Sequence, residues 1–280
     1  MGIVGSALLA AVMAAPGPAD APVPLSVVTG RLLVVPVWLD DAGPFEFLLD
    51  TGTSATIVDS SLVERLGLAA HDRATLVGPG GTAVVRRARL GRLTVGPKSV
   101  EGLEVLCADM GGVRRVGARI VGVLGQDVLG RFDYLLSYER RHLRFDPDDV
   151  IAGARVPFER HDGRMVVEVA LGKEGDARRF VLDSGASSVF VFDRPSLGAG
   201  VRREVGRVEV QTFRGARPLR PGRIGRLALG GQEFVELLAV LVDDPQRLAA
   251  SSEDGLLPTS LFASVYFDNR DRFVRLERRP

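Results

Sequence analysis

The chain contains 280 residues, of which 25% are charged and 46% hydrophobic, and its formal net charge is +1. This composition excludes an intrinsically disordered chain and offers no bulk electrostatic attraction for nucleic acid or acidic membranes. At about 150 residues per domain, the length predicts two domains. The 33 glycines and 16 prolines favour short strands joined by turns.

An apolar run without charges covers residues 3–15 and precedes a stretch rich in alanine and proline. The run is shorter than the span of about 20 apolar residues that crosses a bilayer, but it suits the hydrophobic part of a signal peptide. We therefore predict that residues 1–22 are a signal peptide and spacer, and that the protein is exported, to the periplasm or the exterior. A merely frayed N-terminus is the alternative, because no Lys or Arg precedes the run.

The remainder of the chain has the pattern of an all-β protein with short helices. A strand predicted over 32–39 is followed by a turn rich in Asp and Gly and by a second strand over 45–49, so that a hairpin ends at Asp50. A short strand over 56–58 and a short helix or turn come next. Strands and glycine-rich turns alternate over 73–106, and a final hairpin closes this half of the chain.

One hairpin of this region is a candidate flap. Its predicted tip contains Gly78, Gly80 and Gly81, and a cluster of glycines gives a turn the backbone freedom to move. In the second half of the chain, Arg214-Gly215 is the candidate counterpart.

The second half of the chain repeats the first at an offset of 133 residues. Phe-Leu-Leu-Asp-Thr-Gly-Thr-Ser at 47–54 returns as Phe-Val-Leu-Asp-Ser-Gly-Ala-Ser at 180–187, and the strand before it recurs as well. A repeat this long indicates a duplicated domain rather than a solenoid. We therefore predict an N-terminal lobe over 23–150 and a C-terminal lobe over 151–280.

In each predicted lobe an apolar strand ends at an Asp-Thr/Ser-Gly motif. A single motif of this kind is typical of an ordinary turn, but two at equivalent positions can meet between paired lobes. Two carboxylates held together cannot both ionise at low cost, so Asp50 and Asp183 would share one proton. The ionised partner could then take a proton from water while the protonated partner polarises a substrate carbonyl.

The chain resembles the aspartic peptidases of the retropepsin and pepsin clan, in a single-chain, two-lobed form such as bacteria carry. The resemblance covers nearly all of residues 25–280 and rests on the hairpin that leads to each motif, the glycine-rich flap region and the apolar segment Val123-Leu124-Gly125. It implies the acid-protease fold, with two related, closed-barrel-like β lobes. It further implies the following roles: catalysis by Asp50 and Asp183, and support of their loops by Thr51, Gly52, Thr53, Ser184 and Gly185.

Three features depart from the usual family pattern. Pro258 stands where the apolar segment of the second lobe usually has glycine, and its fixed φ and missing N–H predict different packing behind Asp183. Ala186 replaces the hydroxyl residue after the motif glycine, as in the retroviral type. All three tyrosines lie in the closing hairpins rather than in the candidate flaps, which favours a retropepsin-like flap.

The resemblance implies an aspartic endopeptidase that hydrolyses peptides or proteins as a monomer, with no nucleic-acid partner and no stable membrane insertion. The alternative is a non-catalytic, protease-like module that binds a peptide or protein partner. No cofactor and no metal is expected, because the three histidines are scattered. The single cysteine, Cys107, excludes an internal disulfide and is expected to be a small core residue rather than a nucleophile.

Overall fold

The computed structural model describes residues 21–78, 81–194, 200–212, 215–243 and 251–279. These residues form 22 strands and three α-helices, arranged in two lobes of similar topology. The all-β, two-lobed fold class predicted from the sequence is therefore confirmed. In the part of the chain that is described, no helix is long and apolar enough to cross a membrane. Most of the predicted signal peptide and spacer lies outside the described residues.

The N-terminal lobe is built from short strands and three helices of one or two turns. Its strands are β1 (Val23–Pro24), β2 (Ser26–Val28), β3 (Leu32–Leu39), β4 (Ala42–Leu49), β5 (Ile57–Asp59), β6 (Ala70–Gly78), β7 (Gly81–Val95), β8 (Lys98–Ala108), β9 (Ile120–Leu124), β10 (Tyr134–Ser137) and β11 (His142–Phe145). Its helices are α1 (Ser60–Arg65), α2 (Gly111–Arg114) and α3 (Gln126–Leu129).

The C-terminal lobe repeats this order of strands. Its strands are β12 (Arg155–His161), β13 (Arg164–Leu171), β14 (Asp176–Asp183), β15 (Val189–Phe192), β16 (Val201–Arg203), β17 (Val208–Thr212), β18 (Gly215–Leu229), β19 (Gln232–Val242), β20 (Gly255–Pro258), β21 (Phe262–Asp268) and β22 (Phe273–Arg278). The predicted lobe boundary at 150/151 falls between β11 and β12 and stays a prediction.

Six strands in each lobe form a closed ring of backbone pairing. In the N-terminal lobe the ring runs β3-β4-β9-β5-β8-β7 and closes because β7 also pairs with β3. The C-terminal ring runs β13-β14-β20-β15-β19-β18 and closes through β13 and β18. Closing the ring leaves these strands without a free edge.

The alternation of side chains along β3 and β13 explains how each ring is filled. Successive residues of a strand point to opposite faces, so Leu33, Val35 and Val37 pack in the main core, whereas Leu32 and Val34 pack in a second apolar cluster. The equivalent strand of the other lobe divides its side chains in the same way. Burial of each such aliphatic side chain is worth about 1.5–3 kcal/mol.

In each lobe a third strand separates the two strands that flank the motif. In the N-terminal lobe, β9 lies parallel to β4 and antiparallel to β5, and in the C-terminal lobe β20 stands in the same relation to β14 and β15. Gly122 of β9 makes this arrangement possible, because a Cβ there would lie 2.3 Å from the Phe47 ring. The motif loop consequently crosses the end of the intervening strand and projects towards the other lobe.

The two lobes share one antiparallel sheet. The closing hairpins meet where β10 pairs with β21, in a register that places Leu135 opposite Tyr266. On the two outer sides β1 pairs with β11, and β12 pairs with β22, so each lobe contributes three strands. This shared sheet fixes the lobes relative to each other, and therefore the two motif loops as well.

Candidate active site

The two motif loops meet at the interface between the lobes. Asp50 directly follows β4, and Asp183 is the last residue of β14. The motif glycines lie against the carboxyl group of the opposite lobe: a Cβ on Gly52 would be 2.4 Å from Cγ of Asp183, and one on Gly185 would be 2.5 Å from Cγ of Asp50. Only glycine allows this approach without displacement of the opposite aspartate.

Hydroxyl groups join the two loops reciprocally. The Thr51 hydroxyl donates to the carbonyl oxygen of Leu182 (2.8 Å), and the Ser184 hydroxyl donates to that of Leu49 (2.7 Å). Each hydroxyl oxygen also accepts the backbone N–H of the other residue, at 3.0 Å in both cases. Because Thr51 and Ser184 are almost fully buried, these four hydrogen bonds form away from water and hold the loops in one geometry.

The two carboxyl groups are in an environment that favours one shared proton. Burial raises the pKa of Asp50, although the N–H of Gly52 donates to its Oδ1 at 2.8 Å. Burial also raises the pKa of Asp183, and the neighbouring charge of Asp50 raises it further. Since the groups are hydrogen-bonded to each other and titrate together, the pair keeps a proton at pH values at which an isolated aspartic acid is ionised.

Behind Asp50, a polar group supports the motif loop. Asp127 accepts the Thr56 hydroxyl at 2.6 Å and the Thr56 N–H at 2.8 Å, and the Thr56 hydroxyl oxygen accepts the N–H of Gly125. The Gln126 side-chain amide donates to the carbonyl oxygen of Thr51 at 3.1 Å. The sequence analysis assigned no role to these residues. A position-by-position comparison of the repeats would have singled them out, since the second lobe lacks their equivalents.

Behind Asp183, the corresponding positions are less polar. At the repeat offset, Val189 stands in place of Thr56, Pro258 in place of Gly125 and Thr259 in place of Gln126. The Thr259 hydroxyl lies 2.6 Å from the Tyr138 hydroxyl, which reaches across from the N-terminal lobe. The packing behind the two aspartates therefore differs, and Tyr138 is a second feature to which the sequence analysis gave no role.

A cleft of about 750 Å³ lies over the paired aspartates. Apolar side chains from both lobes form most of its walls, and Thr53 also lines it. The hairpin of β6 and β7 contributes Gly78, which pairs with Gly81 at the tip. Gly80, the third predicted flap residue, lies outside the described residues. The β17–β18 hairpin covers the cleft from the other lobe and lies against α2.

The remaining candidates have structural roles or none in the chemistry. Cys107 is buried in the main core of the N-terminal lobe, where burial raises the pKa of its thiol. Among the described residues, no group of three or more His, Cys, Asp or Glu side chains is placed to hold a metal ion. The paired carboxyl groups of Asp50 and Asp183 at the base of the cleft can act as a general acid and a general base side by side.

Comparison with known proteins finds the same duplication. A family model described as aspartyl protease matches the chain twice, over residues 35–128 and over residues 167–261. Each match contains one motif loop and the strand that crosses behind it. No curated protein matches the chain.

Proposed function

The chain belongs to the aspartyl protease family, and we propose that it is an aspartic endopeptidase in which Asp50 and Asp183 activate water. The observation that carries this proposal is the contact between the two motif loops at the base of the cleft. Each motif glycine lies against the opposite carboxyl group, and four buried hydrogen bonds fix that contact.

In the proposed mechanism the shared proton resides on Asp183 and the charge on Asp50. This assignment places the proton on the more deeply buried carboxyl group, since Asp183 is 7% exposed and Asp50 is only partly buried. Asp50 takes a proton from a water bound between the carboxyl groups, and the oxygen attacks the peptide carbonyl carbon as Asp183 donates its proton to the carbonyl oxygen. The resulting tetrahedral intermediate is not bonded to the protein. It collapses when the amide nitrogen takes the proton from Asp50, which breaks the C–N bond, and Asp183 recovers its proton from the diol.

The cleft gives this pair access to a peptide chain. An extended peptide rises about 3.4 Å per residue, so a cleft of about 750 Å³ between apolar walls accommodates several residues. The two hairpins that cover the cleft place strands above an extended substrate, where backbone pairing is available. Because one chain supplies both aspartates, we propose that the protein works as a monomer on peptides or proteins.

The test is peptide cleavage by the mature protein, with Asp50→Asn and Asp183→Asn as variants. Each variant is expected to lose at least about a hundred-fold in kcat, in line with the contribution of general acid–base groups, while circular dichroism shows an intact fold. A pH–rate profile with an acidic limb and a basic limb, and inhibition by an aspartic-peptidase inhibitor, would support the proposal. Unchanged cleavage by either variant would overturn it, and tight peptide binding without turnover in the wild type would favour the non-catalytic alternative.

We also propose, from the apolar run at residues 3–15 alone, that the protein is exported after removal of a signal peptide. Expression in a bacterial host followed by N-terminal sequencing tests this directly. A shortened chain outside the cytoplasm is expected. A full-length chain that stays in the cytoplasm would contradict it.

A further inference from the structure

The walls of the cleft are not equivalent in the two lobes. In the C-terminal lobe the turn between β12 and β13 brings Asp162 and Arg164 to the cleft. At the repeat offset, the N-terminal lobe has Thr29, which also lines the cleft, and Arg31, which is exposed and does not line it. Arg164 is therefore the one guanidinium group among the cleft-lining residues of the described chain, whereas Glu209 and Gln211 line the cleft from the β17–β18 hairpin.

Arg164 is held by a carboxylate with no access to solvent. Glu253 is 0% exposed. Its Oε1 accepts two hydrogen bonds, one from Nη2 of Arg164 at 3.2 Å and one from Nδ1 of His161 at 2.6 Å. Although burial by itself raises the pKa of Glu253, the hydrogen bond from Ser251 and the charge of Arg164 lower it to about 2. Glu253 is consequently ionised at neutral pH, and its ion pair with Arg164 fixes the guanidinium group in position.

The N-terminal lobe has no charged residue at the position that corresponds to Glu253. Ile120 occupies the place of Glu253 at the repeat offset and is fully buried among apolar side chains. A buried carboxylate and its counterion cost desolvation free energy that an isoleucine does not. The C-terminal lobe thus carries a polar arrangement that its fold does not require, which points to a role in the cleft.

Arg164 lines the cleft and has hydrogen-bond donors that no described residue accepts. Its one hydrogen bond to a described residue uses Nη2, so Nε and Nη1 donate to none of them. A guanidinium group has five N–H donors in a fixed plane and no acceptor. The group in a substrate that matches these donors is an oxygen acceptor.

The local charge decides which acceptor fits. Glu253 compensates the charge of Arg164, and the Asp162 carboxylate lies 3.7 Å from Nη2 of the same guanidinium group. The site consequently has donors without a net positive charge, so a carboxamide is preferred over a carboxylate. A substrate lysine or arginine finds no acceptor on the guanidinium group itself, and the Asp162 carboxylate beside it already lies against Nη2 of Arg164.

The position of the turn limits which substrate residue is read. A Cβ on Gly163 would lie 3.1 Å from Cβ of Ser54, so the turn contacts the N-terminal motif loop. Ser54 follows Asp50 by four residues, which places the turn within about 15 Å of Asp50 at 3.8 Å per residue. An extended peptide covers that distance in about four residues.

We propose that Arg164, fixed by Glu253, is a specificity-determining residue that selects a substrate with Gln or Asn at one position within about four residues of the cleaved bond. This inference rests on the proposed peptidase function and assigns a substrate class to the same cleft. It also distinguishes the two ends of a bound peptide, because the N-terminal lobe has no equivalent guanidinium group among the residues that line the cleft.

The experiment compares cleavage of peptide sets that differ at one position, with Gln, Leu or Lys there. At one position, kcat/KM for Gln is expected to exceed that for Leu by roughly ten-fold, the value of one good hydrogen bond to a charged group. In Arg164→Met this preference is expected to vanish, while cleavage of the Leu peptide stays. The matched control is Arg31→Met, in the equivalent turn of the other lobe, which should keep the preference.

A second variant and a second measurement keep the test decisive. Because Arg164→Met leaves Glu253 buried without its counterion, Arg164→Met/Glu253→Gln removes both charges and provides a folded comparison. Binding of the same peptides to Asp50→Asn/Asp183→Asn tests the preference even if the wild type cleaves nothing, which separates this inference from the proposed function. A Gln preference that persists without Arg164, equal use of Gln and Leu, or a preference for Lys would overturn it.

Discussion

Behind Asp50 the N-terminal lobe places the hydrogen-bonded side chains of Thr56 and Asp127, whereas behind Asp183 the C-terminal lobe places Val189 and Ser260 at the same positions of the repeat. The loop of the first aspartate is thus supported from within its own lobe. That of the second depends more on apolar packing and on a hydroxyl contact from the other lobe, between Tyr138 and Thr259.

This difference teaches that a duplicated fold need not give two equivalent carboxyl groups. The motif residues are nearly identical and their hydrogen bonds are reciprocal, yet Asp183 is buried more deeply than Asp50. Burial raises the pKa of both carboxyl groups, so the pair keeps a proton, and the placement of that proton on Asp183 belongs to the proposed mechanism. The cleft shows a similar asymmetry, because the charged pair of Arg164 and Glu253 occurs in one lobe only.

The largest expected effect comes from breaking the contact that the lobes share. Gly52→Ala and Gly185→Ala each place a methyl group within about 2.5 Å of the opposite aspartate. Because the loops must separate, we expect at least a hundred-fold loss of kcat, as displacements near 1 Å can produce. Steady-state kinetics on a cleaved peptide measures the loss. The control is Gly225→Ala, where no heavy atom lies closer than 4.0 Å, and which should keep full activity. Two active motif variants would contradict the close approach.

Two buried carboxyl groups are expected to affect stability with opposite dependence on pH. The folded-state pKa of Asp183 lies above its ordinary value of 3.8, so its contribution to stability is lost as the pH rises past 4. Asp183→Asn should therefore be more stable than the wild type at pH 7, with the difference shrinking towards pH 4. Glu253, with its pKa lowered to about 2, contributes above its ordinary value of 4.5 and loses that contribution as the pH falls.

Glu253→Gln should therefore reduce the free energy of unfolding by roughly 3 kcal/mol at pH 7 and by less at pH 3. Urea denaturation of both variants and the wild type between pH 3 and pH 7 measures these trends. Parallel pH profiles for the two variants would contradict the opposite signs.

The polar support of the first lobe can be converted to the composition of the second. Thr56→Val alone leaves the N–H of Gly125 and one oxygen of Asp127 without their partner, which should cost about 2 kcal/mol. The double variant Thr56→Val/Asp127→Ser reproduces the residues behind Asp183 and should cost less than the sum of the single changes. Chemical denaturation of the complete cycle gives the coupling energy. Strict additivity would show that the pair does not act as a unit.

The smallest expected effect concerns the hydroxyl contact between Tyr138 of the N-terminal lobe and Thr259 of the C-terminal lobe. Tyr138→Phe removes the hydroxyl that pairs with Thr259 and should cost about 1 kcal/mol of stability. Because Thr259 follows the strand behind Asp183, the limb of the pH–rate profile that reports the higher pKa should also shift. Tyr266→Phe is the control, since the Tyr266 hydroxyl makes no hydrogen bond to a described residue. A Tyr138→Phe profile that superimposes on that of the control would contradict a link between Tyr138 and Asp183.

Much of the architecture could be predicted from local sequence. The strand predicted over 32–39 has the bounds that the structure shows, and its predicted recurrence in the second half of the chain is β13, because both apolar runs are long and end at turn residues. The position of each motif at the end of an apolar strand also followed from the repeat. These features depend on residue type and on a fixed offset, both of which can be seen along one chain.

Other features could not be predicted in this way. The environment of Arg164 combines residues from 161 to 253, and the Tyr138 contact joins positions 121 residues apart. Neither has a periodicity or a motif, because the partners are adjacent only after both rings close. The closure of each ring by β3 with β7, or by β13 with β18, likewise depends on pairing between distant strands.

The sequence by itself determined that there are two copies of one β-rich unit, each with an aspartate at the end of an apolar strand. Only the tertiary structure decided that the surroundings of these two aspartates differ, with Asp127 behind one and Tyr138 near the other, and that one cleft wall carries a fixed guanidinium group. The physical reason is that burial and charge compensation are properties of a residue's neighbours in space. Those neighbours come from both lobes, so one repeat does not specify them.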